Sequence, residues 1–320
     1  MKVSLVMAVY NGEKYLIEQL DSIRKQSRKL DEVLLLDDGS TDQSYQMIYQ
    51  YIQDYQLEHW TLEKNKENLG YRKNFKKGLS RVSGDILFLS DQDDRWYENK
   101  VEMMCHYMED KKVLSLASSF NFMDEQGKTF TVPLEKGKSN NNLLYLKVTQ
   151  KLTEIPFNSL LRTNFSQGCT MAIKKELAER FIWQETDQMP HDWALNMMAS
   201  LDHGCYYLDE PLMDYRIHGN NTIGLDEIIE QDKSKERTSR VKQRIHFNEL
   251  EKQNVSFALT LPLNKKQKEL AKRRYNYLTS RNNYIKNKKI FSLILYFIKG
   301  NYKEFGEFKT FVGDLLSIIR

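Results

Sequence analysis

The first 120 residues alternate between two periods of hydrophobicity. Val3–Val9 is a short apolar run, and Gly12–Gln26 then sets Tyr15, Leu16, Leu20 and Ile23 at helical spacing. A second apolar run, Val33–Leu36, leads into Asp37-Asp38-Gly39-Ser40-Thr41-Asp42, where Thr41 or Ser40 is placed to cap the next helix. Leu57–Leu62 reads as a third strand, Gly70–Val82 as a helix, Asp85–Leu89 as a fourth strand and Tyr97–Met108 as another helix. Strand and helix alternating at this spacing predict a parallel sheet with crossover helices, an α/β architecture.

Beyond Pro262 the pattern changes. Leu270, Tyr277/Leu278 and Tyr284/Ile285 repeat every seven residues, with Arg274 and Arg281 on the same face. Charges surround this helix, which predicts that it is not an ordinary core element. The apolar stretch Ile290–Ile298 follows, and Tyr302, Phe305, Phe308, Phe311, Val312, Leu315, Leu316 and Ile319 then form a second amphipathic pattern. The chain therefore divides into an α/β body over 1–224, in halves 1–120 and 121–224, a connecting helical segment over 225–263 and a basic amphipathic helical tail over 264–320.

Charge sharpens this division. The net +4 of the 320 residues hides a local +9 between Asn264 and Lys289, +1 beyond it and −6 over residues 1–263. The 40% hydrophobic content supports a sizeable core. An acidic body argues against nucleic acid in the main cleft. Basic charge with aromatics and short apolar faces suits a helix lying on an anionic cytoplasmic leaflet; a helical subdomain packed on the body, or on a second copy in a homodimer, is the alternative. No stretch reaches the roughly 18 apolar residues of a membrane-spanning helix. The N-terminus reads as a strand and not as a signal peptide. Cys105, Cys169 and Cys205 are odd in number and widely spaced, so they read as buried thiols in a reducing cytosol and as neither a disulfide framework nor a zinc site.

In open α/β sheets ligands bind beyond the carboxyl ends of the strands, and the polar clusters fall there. Strand one is followed by Tyr10-Asn11-Gly12, strand two by Asp37-Asp38 and strand four by Asp91-Gln92-Asp93-Asp94. Carboxylates crowded at one rim repel unless a cation joins them. Aspartates at alternate positions direct two carboxylates to one side, giving hard oxygen ligands for Mg²⁺ or Mn²⁺ whose other sites suit phosphate oxygens. Ala8–Glu13 holds a single glycine, Gly12, too few for the phosphate loop of a pyrophosphorylase or a dinucleotide oxidoreductase. Gly127-Lys128-Thr129 resembles the end of a P-loop, but Phe122 stands where its first glycine belongs.

At this point the chain resembles the family-2 glycosyltransferases, inverting enzymes with the GT-A fold. The matching segments are Ala8-Val9-Tyr10-Asn11, Asp37 to Asp42, Asn68-Leu69-Gly70 with Asn74, Asp91-Gln92-Asp93-Asp94, Gly168-Cys169-Thr170-Met171, His191-Asp192-Trp193 and Tyr215 to Asn221. They cover residues 1–224 in the family's order.

The resemblance implies a nucleotide-sugar donor held by Ala8, Tyr10 and Asp38 at the base, with Asn68 and Gly70 bordering the nucleoside. It implies Asp91 near the ribose, Asp91 and Asp93 at a divalent cation, and His218 as a third ligand. Gly168, Cys169, His191 and Trp193 fall on the acceptor side. Arg72, Lys73 and Arg216 are candidates to meet the diphosphate. Asp192 matches the catalytic base, although the family usually has Glu where this chain has His191. Pro190 and the spacing of Ala194, Leu195, Met198 and Leu201 put Asp192 at a helix N-terminus, where a capping role is the alternative and the helix dipole is expected to lower its pKa. The motifs from Ser90 to Trp96, at 191–193 and from Tyr215 to Gly224 resemble the bacterial rhamnosyltransferase branch that builds cell-wall and capsular polysaccharides from dTDP-L-rhamnose. A UDP-hexose or UDP-N-acetylhexosamine donor stays open. The implied acceptor is a glycan or lipid-linked glycan at the inner face of the cell membrane, and the alternative of another class is a non-catalytic, cation-binding scaffold.

Overall fold

A computed structural model describes residues 1–133, 148, 150–184, 189–219 and 237–319. Asn220, Asn221, Ile223 and Gly224 of the last motif, and residues 225–236 of the connecting segment, lie outside them. The chain forms two compact units, one of residues 1–156 and 164–225, the other of residues 157–163 and 226–320.

The first unit is built on a ten-stranded mixed sheet. β1 (Val3–Val9), β2 (Glu32–Asp37), β3 (Trp60–Lys64) and β4 (Ile86–Ser90) run parallel in the order β3-β2-β1-β4. β1, β2 and β4 are almost wholly buried, because crossover helices cover a parallel sheet on both faces. The crossovers are α1 (Leu16–Arg24), α2 (Ser44–Asp54) and α3 (Tyr71–Leu79). Next come the short β5 (Arg95–Trp96) and α4 (Lys100–Met108). The sheet continues from β4 through β9 (Met171–Lys174), β6 (Ser115–Met123) and β10 (Cys205–Arg216) to β5. β9 is antiparallel to both its neighbours, so the sheet is parallel only in its first half and at the β6–β10 pair. β7 (Thr129–Phe130) and β8 (Leu152–Glu154) are short antiparallel additions to β6 and β10.

Two local expectations are corrected. The third strand begins at Trp60, not Leu57. Neither Ser40 nor Thr41 caps α2; Asp42 accepts the Ser44 N–H at 3.0 Å instead, while the Ser40 hydroxyl accepts the Asn11 N–H at 3.0 Å. The tight Asp-Gly turn needs those residues to join the first two loops, so they do not reach the helix.

The second unit is helical: α5 (Phe157–Leu160), α8 (Arg237–Thr260), α9 (Lys265–Lys286), α10 (Ile290–Ile298), α11 (Asn301–Phe305) and α12 (Phe308–Ile319), with α6 (Lys175–Ile182) and α7 (His191–Ser200) belonging to the first. α9 opens with a reciprocal cap: Asn264 Oδ1 accepts the Gln267 N–H and Gln267 Oε1 accepts the Asn264 N–H. Its seven-residue repeat is a buried face, and Arg274 and Arg281 lie within it. This corrects the expectation that so charged a helix stays out of a core. Arg281 donates through Nε and Nη2 to the fully buried Asp314, which also accepts from Arg244 and the Tyr302 hydroxyl. Arg274 pairs with Glu251. No described helix is long and apolar enough to cross a membrane.

Asp314→Ala leaves the Arg281 guanidinium buried without its counter-charge, which is expected to cost about 3–5 kcal/mol. All four tryptophans (Trp60, Trp96, Trp183, Trp193) lie in the first unit. The measurement is therefore urea unfolding followed by the helical circular-dichroism signal, and an unchanged midpoint contradicts it.

Candidate active site

Sheet register brings the polar clusters to one rim. Val9 stands opposite Asp37 and Met7 opposite Ser90, so the segments leaving β1, β2 and β4 emerge side by side. Above them lies a cavity of about 760 Å³, within the usual range for small-molecule sites. Ala8, Tyr10, Asp38, Asn68, Gly70, Asp91, Asp93, Gly168, His191, Asp192 and His218 all line it.

The donor-side loops are held by side-chain-to-backbone bonds. Asp38 Oδ1 accepts the Leu69 N–H and the Asn65 amide, and Oδ2 accepts the Gly70 N–H, at 2.7–2.9 Å. Gly70 sits at φ +77°, where a side chain is strained. Asp38 thus fixes the Asn68–Gly70 loop besides walling the cavity. Gln92 binds both the N–H and the carbonyl of Tyr10, at 2.8 and 2.9 Å, and so fastens the first loop to the aspartate turn. Its place inside Asp-Gln-Asp-Asp was the one signal of that role.

Asp91 and Asp93 face the cavity, and His218 Nε2 lies 2.7 Å from Asp93 Oδ2. Burial pushes the Asp91 carboxyl up to about 7, and the Asp93 charge adds to this. Asp94 and Cys169 reach the same place from beneath, with ligand atoms of Asp91, Asp94 and Cys169 within 4.8 Å of one another. Burial raises both Asp94 and the Cys169 thiol well above their usual ranges, and neither lines the cavity. Asp91, Asp93 and His218 line the same cavity, and hard carboxylate oxygens with an imidazole nitrogen are the donor types that suit a divalent cation. Lys100 lies fully buried below, its Nζ donating to the Cys169 carbonyl at 3.1 Å, and burial lowers its pKa to about 8.

Arg216 does not reach the cavity. It is 1% exposed, donates from Nε to the Asp93 carbonyl at 2.7 Å, pairs with Glu18, and its backbone N–H bonds Asp94 Oδ1 at 3.1 Å. Arg95 joins the same clamp through Glu18 and Asp214. The expectation that Arg216 meets a diphosphate is corrected: its guanidinium binds the Asp93 and Asp124 carbonyls and Glu18. No sequence signal marked Glu18, which lies on an otherwise ordinary amphipathic helix. Arg72 is half-buried and Lys73 exposed, and neither lines the cavity.

Asp192 is the second residue of α7, behind Pro190, and not its cap. Its Oδ1 accepts the Trp193 N–H at 2.7 Å. Burial raises its pKa to about 6, outweighing the backbone N–H bonds that lower it. This reverses the shift expected from the helix dipole, because desolvation of a carboxylate exceeds the field of one helix end.

His191 lines the cavity wall but turns inward. Its ring stacks on Phe75 at 4.2 Å and meets Tyr71 edge-on at 5.8 Å, and burial lowers its pKa to about 3. Both ring nitrogens are buried without a hydrogen-bond partner among the described residues. A Cβ on Gly168 would stand 2.5 Å from Nε2, so the glycine makes room for the ring. Of the expected acceptor-side residues, Gly168 and His191 border the cavity while Cys169 and Trp193 do not.

Residues 4–180 match the family described as Glycosyl transferase family 2. An uncharacterized glycosyltransferase of Rickettsia bellii is 27% identical over 142 residues, 44% of this chain and 20% of that protein. The chain thus spans about a fifth of the length of the first curated relatives it matches. The dTDP-rhamnosyl transferase RfbG of Shigella flexneri is 28% identical over 229 residues, covering 68% of this chain and 73% of the relative. Among solved structures, S. aureus TarS 1–349 in complex with UDP aligns with TM-score 0.56 and 18% identity, over 88% of this chain and 71% of that 1–349 chain. The mannosyltransferase PcManGT from Pyrobaculum calidifontis, in complex with GDP-Man and Mn²⁺, aligns with TM-score 0.58 and 16% identity, over 99% and 86%. At these identities the structural likeness is one of fold, and that fold is the GT-A fold.

Gly168→Ala is expected to lower the thermal midpoint by overpacking His191, at about 1–3 kcal/mol. His191→Phe keeps the stack on Phe75 and removes two unmet nitrogens, so its midpoint should hold or rise. Circular-dichroism melts compare the two, and the reverse order contradicts this packing.

Proposed function

Because the chain belongs to glycosyl transferase family 2, we propose that it transfers a sugar from a nucleoside-diphosphate donor to an acceptor hydroxyl, with inversion at the anomeric carbon. The observation that carries this reading is one cavity lined together by Asp38, Asn68, Gly70, Asp91, Asp93, His218 and the buried carboxyl of Asp192.

In the proposed reaction Asp192 accepts the proton of the acceptor hydroxyl while that oxygen attacks the anomeric carbon. The bond to the diphosphate breaks and its electron pair leaves with the nucleotide. A single displacement inverts the configuration. Asp91, Asp93 and His218 are the residues that would hold Mg²⁺ or Mn²⁺, which when bound supplies positive charge against the departing diphosphate. Ala8, Tyr10 and Asp38 hold the base, and Asn68 and Gly70 the nucleoside. Burial suits Asp192 to proton abstraction, since a carboxylate with a pKa near 6 is a stronger base than a solvated aspartate yet mostly ionised at neutral pH.

The donor reading is dTDP-L-rhamnose. It is supported by the motif resemblance and by the match to RfbG of Shigella flexneri, a dTDP-rhamnosyl transferase, over most of both chains. The acceptor is a growing, lipid-linked bacterial polysaccharide of the cell wall or capsule, and the chain works peripherally at the inner face of the cell membrane. The basic character of residues 264–289 supports that location.

A panel of dTDP-rhamnose, UDP-hexoses and UDP-N-acetylhexosamines with Mn²⁺ or Mg²⁺, read by release of nucleoside diphosphate, tests the transfer. The greatest release is expected from dTDP-rhamnose, and release from none of them favours a non-catalytic scaffold. Asp192→Asn should retain donor binding and lose about 10²- to 10⁴-fold in turnover, whereas Asp93→Ala should lose metal-dependent donor binding. Protonation silences the base, so turnover should fall about tenfold per unit as pH drops below about 6. Normal turnover in Asp192→Asn sinks the assignment.

A further inference from the structure

The second unit carries an apolar face that its own helices leave uncovered. α10, Ile290–Ile298, contains no charged side chain. At 3.6 residues per turn, Ile290, Ile294, Ile298, Phe291 and Leu295 share one arc of about 140°. These five are its exposed apolar side chains, led by Phe291 at 74% and Ile298 at 71%. The other side does the packing: Leu293 is buried, Tyr296 stacks on Tyr277 at 6.1 Å, and Phe297 stacks on Phe311 at 4.1 Å. Phe308, itself 66% exposed, extends the face beside Phe297 at 5.9 Å.

Cations border this face at both ends. Lys288 and Lys289 precede the helix, Lys299 follows it, and Lys303 and Lys309 lie on the next two helices, all five exposed; Lys286, also exposed, pairs with Glu249 at 3.4 Å. Between residues 286 and 309 the acidic residues are Glu304 and Glu307, and Glu304 is paired with Arg273. A charge-free apolar arc between lysine clusters matches the boundary of an anionic bilayer, where hydrocarbon meets phosphate. A second copy fits worse. Related by a two-fold axis, it would set Lys288 and Lys289 against Lys299 or against their own images. Nine residues span about 13.5 Å, far less than the roughly 30 Å hydrocarbon core, so the helix must lie along the surface.

We propose that α10 is the element that docks this protein on membranes, lying in the interface of an anionic leaflet with Phe291, Leu295 and Ile298 among the acyl chains and the flanking lysines on lipid phosphates. This rests on the membrane location proposed above and assigns it to a different element: the strongly basic helix α9 is held within its unit by Arg274 and Arg281, and the short apolar helix makes the contact.

The test is co-sedimentation of the full chain with vesicles of equimolar phosphatidylglycerol and phosphatidylcholine, against vesicles of phosphatidylcholine alone. Binding to the anionic vesicles is expected. Phe291→Ser with Ile298→Ser should weaken it about tenfold or more, and Lys288→Gln with Lys289→Gln should erase the preference for anionic lipid. Phe291→Trp should shift its emission to the blue on binding. Helical circular dichroism and nucleotide release in solution should stay unchanged, since none of these residues lines the cavity. Failure of the full chain to bind anionic vesicles, equal binding by the serine variant, or sedimentation as a dimer that the serine variant abolishes each overturns the proposal. Donor turnover is read separately: turnover without vesicle binding sinks the docking surface alone, and vesicle binding without turnover sinks the transferase reading alone.

Discussion

Three aspartates within four residues, at the end of a fully buried strand, repel one another, and the first unit is arranged to hold them. Asp94 is turned inward, its carboxyl pushed well above the usual carboxylate range by burial, and Lys100 is equally buried. Asp91 and Asp93 face the cavity. The turn carrying them is clamped by Arg216, whose backbone and guanidinium both bind it, and Arg216 is in turn matched by Glu18. Gln92 ties the same turn to the loop after β1. These contacts fix the backbone and leave His218 beside Asp93 at the cavity, with Asp91 also facing the opening. That is how a rim of like charges is held in place before any cation is considered.

Asp192 illustrates how position and environment compete. Its place in the first turn of α7 favours the ionised form, and its enclosure disfavours it; enclosure prevails. The neighbouring His191 contributes shape where its family counterpart is commonly acidic. Packed between Phe75 and Gly168, with its pKa lowered to about 3 by burial, it adds no competing charge to the sequence neighbour Asp192. The raised pKa of Asp192 therefore comes from its enclosure, which is the environment a carboxyl proposed to act as a base requires.

The second unit uses charge in two opposite ways. Arg274 and Arg281 are buried against Glu251 and Asp314, so part of the basic excess is internal structure. The lysines around α10 remain on the surface beside an apolar face. Net charge alone could not separate the two populations, since a guanidinium counts the same whether it is paired in a core or facing a lipid phosphate.

Much was legible in the chain itself. Alternating periods gave the order of strands and helices through Met108 except for the two-residue β5, and turn residues at strand ends gave the rim, because those signals are local: side-chain spacing, glycine in turns and carboxylates after apolar runs. Asp38, Asp91, Asp93, Asp192 and His218 could be named from their motifs. What the tertiary structure decided was which way side chains face and what surrounds them. It turned Arg216 and Cys169 inward, reversed the pKa shift expected of Asp192, recruited Glu18 from an unmarked helix, and buried two arginines of a helix that reads as solvated. Burial and pairing are sums over residues distant in sequence, and only folding brings those residues to one place.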